Sequence, residues 1–417
     1  MQASKTSGLR RTVALLCLLS AGWFASPAIA QNAPEGQGHQ GHQGHMAAHN
    51  RLELGTGVAA DARGHIWIAS KEGAGAEQYV VLQVSEDGGK SWSAAKRVQA
   101  EPEPVSADGE NRPKIAIGPK GELYIAYTKP LAKPYTGEIR FVRSLDGGKT
   151  FSAPITVHAN RDVITHRFES MVVDAKGRIY IAWIDKRDLE AAAAHKQKYA
   201  GAALYYAVSS DSGASFKGDY KIADHSCECC RIGLALDAAG KPVALWRHVF
   251  DSSIRDHAMT TLSPDGKAAP VMRATFDNWR IEACPHHGPS LAYAADGTRH
   301  QVWFNVKDDE GGAFYASANA TGKMTVPIKL GTAQAEHPDV AVDGKTVAVV
   351  WKQFDGKSTA IVGKVSADGG QTWVEKEMAR TAKDSDQPHL FNAPSGIQLA
   401  WRTQDEGIRI IPVKAEK

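Results

Sequence analysis

Ser144-Leu145-Asp146-Gly147-Gly148-Lys149-Thr150-Phe151 is one of four copies of the pattern S-x-D-x-G-x-S/T-W/F. The others are Ser85-Glu86-Asp87-Gly88-Gly89-Lys90-Ser91-Trp92, Ser209-Ser210-Asp211-Ser212-Gly213-Ala214-Ser215-Phe216 and Ser366-Ala367-Asp368-Gly369-Gly370-Gln371-Thr372-Trp373. In such a segment the Asp side chain accepts bonds from backbone N–H groups of its own turn, Gly supplies a positive φ, and the aromatic ring covers the hairpin. Each copy predicts a tight turn between two strands. Asp87, Asp146, Asp211 and Asp368 are therefore read as structural residues.

Around these turns lies a second repeat: an apolar strand, a D-x-x-G-like turn, and a strand ending in an aromatic or small residue. Its seven copies are Val58 to Ser70, Ile115 to Tyr127, Met171 to Trp183, Leu234 to Trp246, Leu291 to Phe304, Val340 to Trp351 and Leu390 to Trp401. Starts recur every 50 to 63 residues or so, which suits a four-stranded blade. The expected fold is all-β, a β-propeller of four-stranded blades. It has seven blades, or six if the last copy is irregular and closes a smaller ring. Copies four and five keep worn hairpins at Thr261-Leu262-Ser263-Pro264-Asp265-Gly266 and Ser317-Ala318-Asn319-Ala320-Thr321-Gly322. The seventh copy has one further strand, Ile408 to Val413, and Arg51 to Leu54 is expected to supply its fourth and close the ring. The recurring aromatics, Trp67, Tyr127, Trp183, Trp246, Phe304, Trp351 and Trp401, are expected to pack between blades.

The four short motifs are Asp-boxes, and through them the chain resembles the sialidase-like (BNR-repeat) β-propellers over nearly all of residues 51 to 417. The resemblance implies the fold strongly and activity weakly, because the motif recurs on hydrolases, lectin-like propellers and receptors. Members that cleave sialosides have six blades. They hold the substrate carboxylate with three arginines and use a Glu-assisted Tyr as nucleophile and an Asp as general acid. Here Asn111-Arg112-Pro113-Lys114-Ile115 scrambles the family's Arg-Ile-Pro motif and falls in the second blade. No tyrosine is singled out, and Asp162 and Asp277 are candidate acids only by lying in loops.

Residues 1 to 30 read as a secretory signal, with Lys5, Arg10 and Arg11 before the apolar run Thr12 to Phe24 and a small-residue site at Ala28-Ile29-Ala30. A periplasmic or secreted product without a transmembrane segment is expected. Without that segment, Lys+Arg and Asp+Glu balance at 46 each, so no polyanion and no nucleic acid is implied as partner. Residues 31 to 50 form a Gly/Gln/His-rich tether in which His39, His42, His45 and His49 recur every three or four residues. It reads as a plain linker or as a scavenger for copper, nickel or zinc.

In a propeller, the residues just before each innermost strand line one mouth of the channel. The repeat alignment puts Asn111-Arg112, Arg167-Phe168, Cys230-Arg231, His287-Gly288, Glu336-His337 and Asp386-Gln387 there. Arg112, Arg167 and Arg231 are the candidate clamp for an acidic sugar or other anion. The densest loops are His225-Ser226-Cys227-Glu228-Cys229-Cys230-Arg231 and Glu282-Ala283-Cys284-Pro285-His286-His287-Gly288. Cys227, Cys229, Cys230, Cys284, His286 and His287 form a soft S/N set suited to Cu(I) or to four-coordinate Zn(II). Two structural disulfides, or a redox-active thiol pair, are the alternatives, although bridges within Cys-x-Cys-Cys are strained. His248 and His257 are candidate outer groups, and His166 a mouth residue. Three functions stay open: an exported propeller that handles a transition metal or uses it in redox chemistry, an exo-acting glycoside hydrolase of sialidase type, and a non-catalytic interaction scaffold.

Overall fold

The computed structural model describes residues 53 to 415 apart from 268, 284, 308 and 309; the signal and tether readings lie outside these residues. Among these residues seven antiparallel meanders follow one another in chain order, six of four strands and a last one of three. Their innermost strands are Gly57–Ala60, Lys114–Ile117, His166–Val173, Gly233–Leu236, Ser290–Tyr293, Ala335–Asp343 and His389–Ala393, defining blades 1 to 7. Each adjacent pair of blades shares its own apolar core. Phe141 and Trp183 lie between blades 2 and 3, Trp246 between 3 and 4, Trp351 between 5 and 6, and Trp401 between 6 and 7. In blade 5 the fully buried ring is Trp303, and its neighbour Phe304 turns toward the mouth against His287.

The Asp-boxes behave as their sequence dictates. Asp146 Oδ1 accepts from the Thr150 amide at 2.9 Å and the Ser144 hydroxyl at 2.7 Å, and Oδ2 accepts from the Thr150 hydroxyl at 2.6 Å. Asp87, Asp211 and Asp368 repeat this pattern. These bonds hold the carboxyls below the usual range, about 2 for Asp211, although partial burial opposes the shift there.

The second glycine position of the box does the packing. An added Cβ would meet Ile410 at Gly89, Leu123 and Trp67 at Gly148, Phe141 at Gly213 and the Tyr315 hydroxyl at Gly370, so each turn presses on the preceding blade. Gly213 has φ +79° and its Cβ would lie 2.5 Å from the buried Phe141 ring. Gly213→Ala should therefore destabilise the propeller by about 2 kcal/mol, from the left-handed backbone and the overpacked ring together. A urea unfolding curve would show this as a lower midpoint at unchanged slope.

Ring closure uses the same contact. Gly89 of blade 1 seats on Ile410 of blade 7, and Val58, Ile66 and Ile68 pack with Phe391 and Ala400. The outer strand expected from Arg51 to Leu54 is not seen among the described residues: Glu53 and Leu54 belong to no strand. The chain at Gly55 instead lies against blade 2, its amide donating to the Ala107 carbonyl at 2.9 Å.

Because strands alternate in direction, the Asp-boxes and D-x-x-G turns share one face of the ring. Loops leading into each blade, and those joining second to third strands, share the other. The latter include a helix outside the repeat, Arg187–Ala194, formed by an Ala-rich run of high helix propensity. No helix among the described residues is long and apolar enough to cross a membrane.

Candidate functional site: the channel mouth

The inner strands surround a cavity of about 180 Å³ lined by, among others, Lys114, Ser170, Ser290 and Asp339. Burial pushes the Lys114 ammonium down to about 8 and the Glu169 carboxyl up, and the attraction between them opposes both shifts. Asp339, buried but hydrogen-bonded to His389 at 3.0 Å, is held down at about 2.

Above this cavity, arginines meet acids from distant blades. Arg112 grips Asp386 with both terminal nitrogens at 2.8 Å and reaches Gln387 at 3.2 Å. Arg231 pairs with Glu110 at 3.2 Å, and the Arg231 amide donates to the other Glu110 oxygen at 3.0 Å. His337 Nδ1 lies 3.0 Å from Glu110 as well. These partners hold the Glu110 carboxyl well below its usual range despite the opposing effect of burial. Arg167 stands apart, 3.6 Å from Asp108 and stacked over Phe168. Arg112 and Arg231 line the same cavity, but both are engaged in internal ion pairs that an incoming carboxylate must displace.

Three thiols converge in the loop before blade 4. Cys230 Sγ lies 3.5 Å from Cys227 Sγ, which lies 3.8 Å from Cys229 Sγ. These separations exceed an S–S bond and suit ligands around one ion. The loop is fixed at its start, where the Cys227 amide donates to the Arg247 carbonyl at 2.9 Å. All three side chains are buried beside Phe168, Ile232 and Trp246. The hydrogen bond from Cys230 to Cys227, with burial, holds the Cys230 thiol well above its usual pKa, while Arg247 pulls it down. His257 is buried within the electrostatic reach of Cys227 and Arg247, its Nε2 without a hydrogen-bond partner among the described residues.

The five predicted ligands among the described residues do not group as one shell. Cys227, Cys229 and Cys230 are one group; His287 groups instead with Glu336 and His337. His286 belongs to neither group; burial pushes its imidazole down, and the charges of Cys227, Glu110 and His337 act on it. Cys284 lies outside the described residues.

Other expected groups are structural. His166 is buried in blade 3, stacked on His158 at 3.9 Å and bonded to the Gly137 carbonyl at 3.0 Å. Asp277 accepts from Trp303 at 2.7 Å and Asn305 at 2.8 Å, which occupies the candidate acid. Asp162 accepts from the Asn160 side chain at 2.8 Å in an exposed loop. His248 stacks edge-on against Phe250 and is pushed down to about 4 by burial. Tyr127 pairs with Glu103, but burial pushes its phenol far up, opposite to what a nucleophile requires. Sequence reading missed Glu110 and Arg247. Glu110 sits one residue ahead of the aligned mouth column, and Arg247 directly follows the conspicuous Trp246.

No family model and no curated protein matches this chain. Among solved structures it is similar to an ulvan lyase bound to a GlcA(1-4)Rha3S fragment, at 13% identity and TM-score 0.53, covering 87% of this chain and 95% of that one. It is also similar to the polysaccharide lyase Uly1, at 8% identity and TM-score 0.53, covering 88% and 91%. The NanB sialidase of Streptococcus pneumoniae aligns at 10% identity and TM-score 0.45 over 74% of this chain and 67% of its own. The likeness is one of fold: this chain forms a seven-bladed β-propeller.

Proposed function

We propose that this propeller is an exported soft-metal protein that holds Cu(I) on Cys227, Cys229 and Cys230 for transfer or redox use. The observation that carries the reading is the cluster of three sulfurs at 3.5 and 3.8 Å in a buried loop. Thiolates select Cu(I) by softness, and three of them satisfy its low coordination number. Binding requires the thiol protons to leave, and the adjacent Arg247 guanidinium favours that loss. The His39-His42-His45-His49 tract would serve as collector.

Protein loaded with Cu(I) and dialysed against a competing chelator should keep about one copper per chain at this centre. Cys229→Ser with Cys230→Ser should lose that equivalent, with the far-UV spectrum unchanged. Equal retention by the double variant rules the centre out.

The second reading is a carbohydrate-acting propeller, at its narrowest an exo-sialidase, and is supported by the likeness to two polysaccharide lyases over most of the chain. Turnover of a fluorogenic sialoside or an acidic polysaccharide, lost in Arg112→Ala, would favour it. No turnover over such a panel decides against it.

A further inference from the structure

We propose that His287, Glu336 and His337 form a second metal centre, for a borderline divalent cation of the Zn(II) type, at the mouth between blades 5 and 6. One ligand atom from each of the three residues lies within 4.8 Å of the others. Two imidazoles and a carboxylate prefer Zn(II) to Cu(I), so the centre is chemically distinct from the thiol cluster and independent of it.

The supporting groups are those a metal centre needs. His337 Nδ1 is engaged by Glu110 at 3.0 Å, which fixes the ring and directs Nε2 to a ligand. His337 also holds φ +49°, at a register shift between Glu336 and Asp339, so an unfavourable backbone is maintained where the imidazole turns inward. On the other side, Arg247 clamps the His287 carbonyl at 3.1 Å. A Cβ at Gly288 would meet the Arg231 Cγ at 2.2 Å and its backbone oxygen at 2.6 Å, so the loop after His287 is pressed onto the Arg231 backbone and stem.

The competing reading is aromatic packing, since His287 lies 4.2 Å from Phe304 and 4.5 Å from His337 by ring centroids. Packing does not account for Glu336. Its half-buried carboxylate has no side-chain hydrogen bond or ion pair among the described residues, yet faces two imidazoles. A cation supplies the missing charge. Three ligands then leave one tetrahedral position for water.

The test uses the full chain with all four mature cysteines changed to Ser and His39, His42, His45 and His49 to Gln, removing thiol and tether binding. One equivalent of Zn(II) should bind by competition with a chromogenic chelator. Glu110→Gln should weaken it about 10-fold through His337, and His337→Gln should reduce it to background. No bound Zn(II) in the parent, or unchanged affinity in His337→Gln, overturns the proposal.

Should the parent fail to fold, Co(II) added to the wild-type chain gives the second reading. Glu336→Gln should alter the visible d–d bands without touching any sulfur-to-cobalt charge-transfer band. Identical d–d spectra in the variant, whether or not the sulfur band changes, refute the site.

Discussion

Arg247→Met is expected to cost the propeller about 3–5 kcal/mol, one of the two largest effects foreseen for this molecule. The side chain is fully buried where blades 4 and 5 meet. Its terminal nitrogens donate to the carbonyls of Arg255 at 2.9 Å, His287 at 3.1 Å and Phe304 at 2.5 Å, and to Asn305 Oδ1 at 3.0 Å. The guanidinium also lies over the Trp279 ring at 5.2 Å. Methionine fills similar space but donates nothing, so several buried acceptors lose their partners at once, each at about 1 kcal/mol or more. Arg247→Lys should recover only part of the loss, because one ammonium cannot reproduce the planar fork that spans two blades. Urea unfolding followed by tryptophan fluorescence measures both. A midpoint in Arg247→Met close to wild type would show that the acceptors find water, and would remove Arg247 as the blade clamp. Because Arg247 also fixes the loop of His287 and lies beside the thiols, the same variant should weaken metal binding at both proposed centres.

The second large effect is acid lability that begins well above the carboxylate range. Burial pushes His158 down to about 3 and His300 down to about 4, and both are interior residues. For His158 the neighbouring His166 adds to the shift. In the unfolded chain these rings titrate near 6.5. Below that pH the unfolded state binds protons that the folded state refuses, so stability is complete above about pH 7 and falls as pH drops toward the folded pKa values. Each histidine contributes a slope approaching about 1.4 kcal/mol per pH unit, and by pH 5 the two together remove about 4 kcal/mol. Thermal melts from pH 7.5 to 5 should show a decline of several degrees, and His158→Gln with His300→Gln should reduce it, the remainder coming from other buried histidines such as His248. A melting temperature constant over that interval would mean that the rings protonate in place. The window lies above the range in which unfolded carboxylates titrate, so it reports histidines.

What the sequence made legible follows from the range of the interactions. An Asp-box closes within five residues, as the bonds from Thr150 and Gly148 to Asp146 and Ser144 illustrate, so its chemistry is complete in a short string. Seven repeats of one strand pair then required a ring, since only closure covers every blade face. The thiol cluster was legible for the same reason: Cys227, Cys229 and Cys230 are neighbours in the chain, and any tight loop brings their sulfurs together. The helix Arg187–Ala194 escaped because it lies outside the repeat.

The partnerships at the mouth belonged to the tertiary structure. Arg112 meets Asp386 across 274 positions, and Glu110 meets Arg231 across 121 and His337 across 227. Alignment of the repeats brought most of these residues to one rim, but their pairing depends on which blades face one another across the hub and on rotamers set by packing. The same geometry drew His287 away from the adjacent thiol loop and toward Glu336 and His337. It also closed the ring by seating Gly89 on Ile410. Local hydrogen bonds are encoded where they occur, whereas contacts across a ring exist only after every blade has taken its place.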